Sequence, residues 1–236
     1  VGAMKESAAI RALERLELFL YRKAALIVSV TRSFKENLIA RGVDADKIVV
    51  VTNGVDMSRF KPVAKDADLV RELGLEGKFV AGYVGTHGLA HHLETLLDAA
   101  EILSGQRDTA TFHFILLGDG ARKQALKEEA ARRGLQNISF VDSVPKEQVA
   151  RYWSLLDVSV IHLRRTALFS TVIPSKLFEC MGMGLPVLHG VPGESAEIVR
   201  TEGVGIVFEP ENALQLVENL QFLHSDAAAY QGYRRR

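Results

Sequence analysis

The sequence predicts an α/β fold built on a doubly wound parallel sheet, and three observations lead there. Short apolar, partly β-branched runs alternate with helix-length segments along nearly the whole chain. Glycines follow the ends of two of those runs, in Gly85-Thr-His-Gly88 and Gly118-Asp-Gly120. The longest uninterrupted apolar run is far shorter than the roughly 20 residues of a membrane-spanning helix. Strands separated by helices imply right-handed crossovers, and hence a parallel sheet covered on both faces.

The elements follow in order. Ile10, Leu13, Leu16 and Leu20 recur at helical spacing with Arg11, Glu14, Arg15 and Glu17 between them, which predicts an amphipathic helix. The apolar runs Ala24 to Val30 and Ile48 to Val51 read as strands flanking a helix from Arg32 to Ala40. Asn53-Gly54 marks a turn, and the charged stretch after it, with Pro62, reads as a linker. This divides the chain into residues 1–52, a linker over 53–68, and a second unit over 69–236.

In the second unit the predicted strands are Phe79 to Val84, Phe112 to Leu117, Ile138 to Val141, Val158 to Ile161, Pro186 to Leu188 and Gly205 to Phe208. The predicted helices are His92 to Leu103, Arg122 to Arg133, Lys146 to Ser154, Ser175 to Met183, Ala196 to Arg200 and Asn212 to Leu223. In such sheets ligands sit outside the carboxyl ends of the strands, so the loops after Val84, Leu117, Val141 and Ile161 are where chemistry is to be sought.

Composition narrows the function classes. At 236 residues and 47% hydrophobic the chain can bury a substantial core. Lys plus Arg and Asp plus Glu balance at 29 each, so no global field collects nucleic acid or anionic lipid, and any anion site must be local. A single cysteine, Cys180, forms no internal disulfide, and no positive-then-apolar segment opens the chain, which favours the cytoplasm. The chain starts without methionine and almost directly in a helix, so it reads as an excerpt from a longer protein.

The loop Gly85-Thr86-His87-Gly88 joins a strand to a helix, and such a loop offers backbone N–H groups to a phosphate; a tight turn that needs glycine for backbone freedom is the plain alternative. Gly118-Asp119-Gly120 invites the dinucleotide fingerprint, but Lys123 stands where its third glycine belongs, and no isolated acid follows at the right distance. Two glycines still let a ligand approach the backbone; a turn with Asp119 near the next helix start is the alternative. His87 and His91 have the i, i+4 spacing that can hold zinc, yet no third ligand is placed beside them, so polar contacts to a phosphate or sugar are the better reading. The stretch Pro174-Ser-Lys-Leu-Phe-Glu179 reads as a loop feeding a helix, with Lys176 and Glu179 on one face: a cation for a diphosphate and a carboxylate for ribose hydroxyls, or else a surface ion pair. Cys180 lacks a matched His and acid and is read as structural, and Arg164-Arg165 could touch an anion or be solvated.

Asn53-Gly-Val-Asp56 with Phe60 and Pro62, Gly85-Thr-His-Gly88, Leu116-Leu-Gly-Asp-Gly120, Asp157-Val158 and Pro174 to Glu179 through Gly184-Leu-Pro-Val187 together resemble family-four GT-B glycosyltransferases. More narrowly they resemble bacterial transferases of O-antigen, capsule and colanic-acid pathways. The resemblance implies a Rossmann-like C-terminal domain for a nucleotide-sugar. It also implies that residues 1–52 are the last units of an acceptor-binding N-terminal domain, and that a closing helix is cut after Tyr233.

The resemblance puts Glu179 on the second glutamate of the family's Glu-seven-residues-Glu motif, a ribose contact, while Thr171 stands in place of the first, leaving Ser170, Thr171 or backbone groups to meet the donor sugar. Thr86 and His91 occupy positions where many members carry Arg and Lys, so Lys176 is expected to supply the positive charge and His87 and His91 to donate hydrogen bonds. Val141 and its neighbours are the expected base-contacting loop, with Gly85, Gly118, Gly120 and Ser175 completing the donor site and Lys176 and Glu179 as its catalytic pair.

The implied activity is retaining transfer of an N-acetylated hexosamine or deoxyhexosamine from a UDP-sugar to a polyprenyl-linked or saccharide acceptor, without a metal, at or near the inner face of the plasma membrane. A sugar-nucleotide 2-epimerase of the same architecture and a non-catalytic nucleotide-binding module are the alternatives.

Overall fold

The computed structural model describes residues 7–106 and 111–235. Helix α1 (Ala8–Lys23) starts at Ser7, whose side chain accepts from the Ile10 N–H. The helix is as predicted, but Leu13, Leu16 and Leu20 on its apolar stripe are each more than half exposed, and no α1 residue is buried. Strands β1 (Ile27–Ser29) and β2 (Ile48–Val50) pair in parallel, with α2 (Arg32–Ala40) between them in sequence. Ile27, Leu38, Val43 and Ile48 form a small core of their own. The predicted first strand is longer than the observed one because Ala24 closes α1 and only three residues find a ladder partner.

The linker ends sooner than expected. Asp66 accepts from the Leu69 N–H and starts α3 (Ala67–Glu72), a helix absent from the sequence reading. Six residues carry too few turns to show a period.

The remaining strands are β3 (Phe79–Val84), β4 (Phe112–Leu117), β5 (Ile138–Val141), β6 (Val158–His162), β7 (Val187–Gly190) and β8 (Gly205–Val207). They form one parallel sheet in the order β5-β4-β3-β6-β7-β8. Between and after them run α4 (Glu94–Ser104), α5 (Lys123–Arg132), α6 (Lys146–Trp153), α7 (Lys176–Gly182), α8 (Glu194–Glu202), α9 (Ala213–Ser225) and α10 (Ala227–Arg234).

Both faces of the sheet are buried, so side chains alternate between two cores. In β4, Phe112, Phe114 and Leu116 enter the core shared with α4 and α9, while Ile115 and Leu117 enter the one shared with α6 and α7. The order of strands reverses between β3 and β6. That switch point opens a crevice at the carboxyl ends of the strands, the place where ligands bind in open α/β sheets.

The first unit meets the second where α2 packs beside Phe169–Thr171 and at Glu194. The Glu194 carboxylate, at the start of α8, accepts from the Arg32 and Ser33 N–H groups at 3.1 and 2.9 Å and from the Ser33 hydroxyl at 3.1 Å, so it stands at the amino end of α2, where the helix dipole favours a negative charge.

Candidate functional site

A cavity of about 410 Å³ opens beside the switch point. Val84, Gly85, Thr86 and His91 line it from the end of β3 and the loop beyond; Leu117, Gly118 and Asp119 from the end of β4 and the loop after it; Ser143 and Val144 from the loop after β5; Val149 from α6; and Ser175, Lys176 and Glu179 from the start of α7. Of the residues selected from sequence, the fold brings together Gly85, Thr86, His91, Gly118, Ser175, Lys176 and Glu179. His87, Gly120, Val141, Ser170 and Thr171 are not on the lining.

The two glycine loops lie backbone against backbone. Gly85 N–H donates to Leu117 O at 2.9 Å, His87 N–H to Asp119 O at 2.8 Å, and Arg122 N–H to His87 O at 2.9 Å. A Cβ on Gly118 would stand 1.9 Å from Gly85 O, and one on Gly120 would stand 2.5 Å from His87 O. Both residues have positive φ, at 142° and 152°. The space beside both Cα atoms is taken by the neighbouring loop, and Gly118 also lines the cavity while Gly120 does not.

Lys123, in the place of a third glycine, is a buried staple. Its ammonium donates to Gly118 O at 2.6 Å and Val141 O at 3.1 Å and pairs with Asp142. The Val141 carbonyl also accepts from Gly118 N–H, so Val141 anchors its loop, and Ser143 and Val144 face the cavity.

Lys176 and Glu179 share one side of the cavity without forming the ion pair that their spacing allows. Glu179 accepts from the Trp153 indole N–H at 3.2 Å. The Lys176 ammonium lies 3.7 Å from the centroid of the Tyr83 ring. Burial pulls the Lys176 pKa down to about 7, against the opposing pull of Cys180 and Glu179. Burial also raises the Glu179 pKa, against the indole hydrogen bond and the Lys176 charge. Both shifts are those of groups brought out of water with incomplete compensation, as functional groups in clefts often are.

The histidines diverge. His87 is fully buried beneath the loops, and neither of its ring nitrogens has a hydrogen-bond partner. His91 faces the cavity with Nδ1 unpartnered. Burial, reinforced by Lys123 and Lys176 at His87 and by Lys176 at His91, lowers both pKa values to about 4. His92 turns away and bonds Thr95 Oγ1 at 3.0 Å. Among the described residues no three His, Cys, Asp or Glu side chains converge as a metal site.

Ser170 and Thr171 spend their hydroxyls locally, donating to Ala167 O at 2.7 Å and Leu168 O at 2.8 Å. Arg165 bonds Glu209 at 2.8 Å, and Arg164 N–H donates to Ala90 O. The Cys180 thiol is buried against the Ser159 hydroxyl, and burial pushes its pKa up to about 12, as befits a packed residue rather than a nucleophile. Ser143 and Val144 lie in the loop expected to meet the base, whereas Tyr83, Trp153 and Val149 carry no signal in the sequence: Trp153 meets Glu179 and Tyr83 meets Lys176 across a long stretch of chain, which no local spacing announces.

Residues 78–226 match the family model for Glycosyl transferases group 1, and residues 4–59 match that for Glycosyltransferase Family 4. WcaI of Escherichia coli (strain K12), named for a colanic acid biosynthesis glycosyl transferase, is 28% identical over 203 residues, which are 83% of this chain and 48% of that protein. A protein of Mycobacterium tuberculosis (strain CDC 1551 / Oshkosh), named GDP-mannose-dependent alpha-mannosyltransferase, is 23% identical over 80% of this chain and 45% of its own length. The chain thus spans about half the length of the curated relatives it matches. Among solved structures, Anabaena Alr3699/HepE in complex with UDP and glucose superposes with a TM-score of 0.80 at 20% identity, covering 93% of this chain and 59% of that one. With a switch-point cavity between two glycine loops and a family match over most of its sheet, the chain belongs to the group 1 glycosyl transferases, family-four proteins of the GT-B fold.

Proposed function

We propose that this chain is the donor-binding portion of a retaining glycosyltransferase of polysaccharide biosynthesis, and that the cavity holds a nucleoside-diphosphate sugar. The observation that carries the reading is the convergence of Lys176, Glu179 and the Gly85 loop on one cavity at the switch point. The diphosphate lies against the Gly85-to-Gly88 backbone and Lys176, and Glu179, steadied by Trp153, accepts from ribose hydroxyls. The base rests on Ser143 and Val144. His91, on the lining between the Gly85 loop and Lys176, faces the donor.

In this reading an acceptor hydroxyl attacks the anomeric carbon from the leaving group's own side. The chain contributes charge stabilisation on the departing diphosphate through Lys176 and loop N–H groups. No step is assigned to a metal. UDP is the preferred nucleotide, since HepE is solved with UDP and with UDP-glucose. The sugar is an N-acetylated hexosamine or deoxyhexosamine, passed to a lipid-linked or saccharide acceptor at the cytoplasmic membrane face.

Calorimetry with UDP, GDP and uridine tests the site. Glu179→Ala should weaken UDP about tenfold or more, the scale of a lost charge-assisted hydrogen bond. Lys176→Ala should weaken UDP but leave uridine nearly unchanged, because the nucleoside has no diphosphate. Unaltered UDP affinity in the Glu179 variant removes the ribose role. Equal losses of UDP and uridine in the Lys176 variant point to structural damage, and tighter GDP than UDP reassigns the base.

A further inference from the structure

Tyr83 is fully buried near the end of β3 and is no part of the cavity's lining, yet it touches most of what lines the phosphate side. Its hydroxyl donates to Thr86 O at 2.9 Å. Its ring lies under the Lys176 ammonium at 3.7 Å, and the His91 ring stands edge-on to it at 5.8 Å. We propose that Tyr83 is a positioning residue of this cavity: its ring face holds the Lys176 ammonium and its hydroxyl holds the Gly85 loop, so that both meet a diphosphate in one geometry. The inference rests on the nucleotide reading above and adds the residue through which its two anion-binding parts are aligned.

A lysine ammonium on a four-carbon stem has many rotamers, and confining it needs a partner. No carboxylate or carbonyl among the described residues accepts from Lys176 Nζ, and Glu179, the nearest acid in sequence, is held by Trp153. The ring of Tyr83 is the partner, well inside the roughly 6 Å over which a cation is drawn to an aromatic face. This choice leaves the N–H groups that point away from the ring to phosphate oxygens, without a carboxylate competing for them.

Space enforces the arrangement. A Cβ on Gly85 would stand 2.7 Å from Lys176 Nζ and 3.6 Å from the Tyr83 hydroxyl, so glycine there lets the three groups meet. The hydroxyl explains why the ring is tyrosine. Its bond to Thr86 O ties the loop to the strand that carries the ring.

Two variants and two readouts test this on the 236-residue chain. With lysine labelled at Cε, one methylene resonance, assigned through Lys176→Arg, should be shifted upfield by the ring current; Tyr83→Leu should abolish the shift and Tyr83→Phe should keep it. By calorimetry Tyr83→Leu should weaken UDP about tenfold with uridine unchanged, the scale of a partly desolvated cation–π contact, and Tyr83→Phe should retain most of the UDP affinity. A Lys176 resonance without ring shift in the unaltered chain overturns the proposal. So does a Tyr83→Leu protein that loses UDP and uridine equally, or loses neither. If the unaltered chain binds no UDP while the ring shift is present and Tyr83-dependent, the nucleotide reading fails and the alignment of Lys176 by Tyr83 stands.

Discussion

His162, at the end of β6, is bonded through both ring nitrogens: Nδ1 to His91 O and Nε2 to Glu211 N–H, each at 2.8 Å. Because Nε2 accepts from a backbone donor it carries no proton, so Nδ1 carries the only one and the ring is neutral. Burial holds its pKa down to about 4, from 6.5. The unfolded chain therefore takes up a proton in that interval that the folded chain refuses. The stability that this histidine confers is present above about pH 6.5 and is lost as pH falls toward about 4. His87, His91 and His189 act with the same sign. The urea midpoint should accordingly fall between about pH 7 and about pH 5, and fall less steeply in His162→Gln, which has one fewer group to titrate. Parallel profiles would mean that His162 takes up its proton equally in the folded and unfolded chains. None of this was legible in the sequence, where His162 is one polar residue after an apolar run; its partners stand 71 and 49 positions away.

The two loops at the cavity form a single element made of two distant segments. From sequence, Gly118 and Gly120 read as a place for a ligand to come close, and in the structure the visitor is the loop after β3. A strand-to-turn pattern says that backbone space is needed without saying what fills it, and here a loop fills it beside a cavity that Gly118 also lines. Gly118→Ala places a methyl against Gly85 O in a backbone region that L-residues rarely adopt. A loss of about 2–4 kcal/mol in unfolding free energy is expected, measured by denaturant titration. A change near zero would show that the loops part easily. Lys123 binds the loop after β4 to the end of β5, so the sequence departure that argued against a dinucleotide site has a structural use of its own.

The described residues form a six-stranded sheet with its covering helices and a smaller two-stranded unit, which meets the larger one at Glu194 and beside Phe169–Thr171; the exposed stripe of α1 lies on that smaller unit. Positioning two substrates against each other supplies up to roughly 7–11 kcal/mol of a reaction barrier. A chain about half as long as its relatives is therefore expected to bind donor and transfer no sugar. The check is UDP release and labelled glycolipid from UDP-N-acetylhexosamines and a bacterial lipid extract, compared with a protein of the relatives' full length. Equal rates would place the acceptor site within these 236 residues. The α/β class, the strands of the larger sheet to within two residues and the family were legible in the sequence, because glycine punctuation is local and these strands are short, mostly apolar runs. The sheet's assembly settled which glycines serve a neighbouring loop, that Lys176 rests on Tyr83 instead of pairing with Glu179, and that His87, Ser170 and Thr171 stand off the cavity. Those outcomes depend on which strand ends lie side by side, and strand order is a property of the sheet that no single segment encodes.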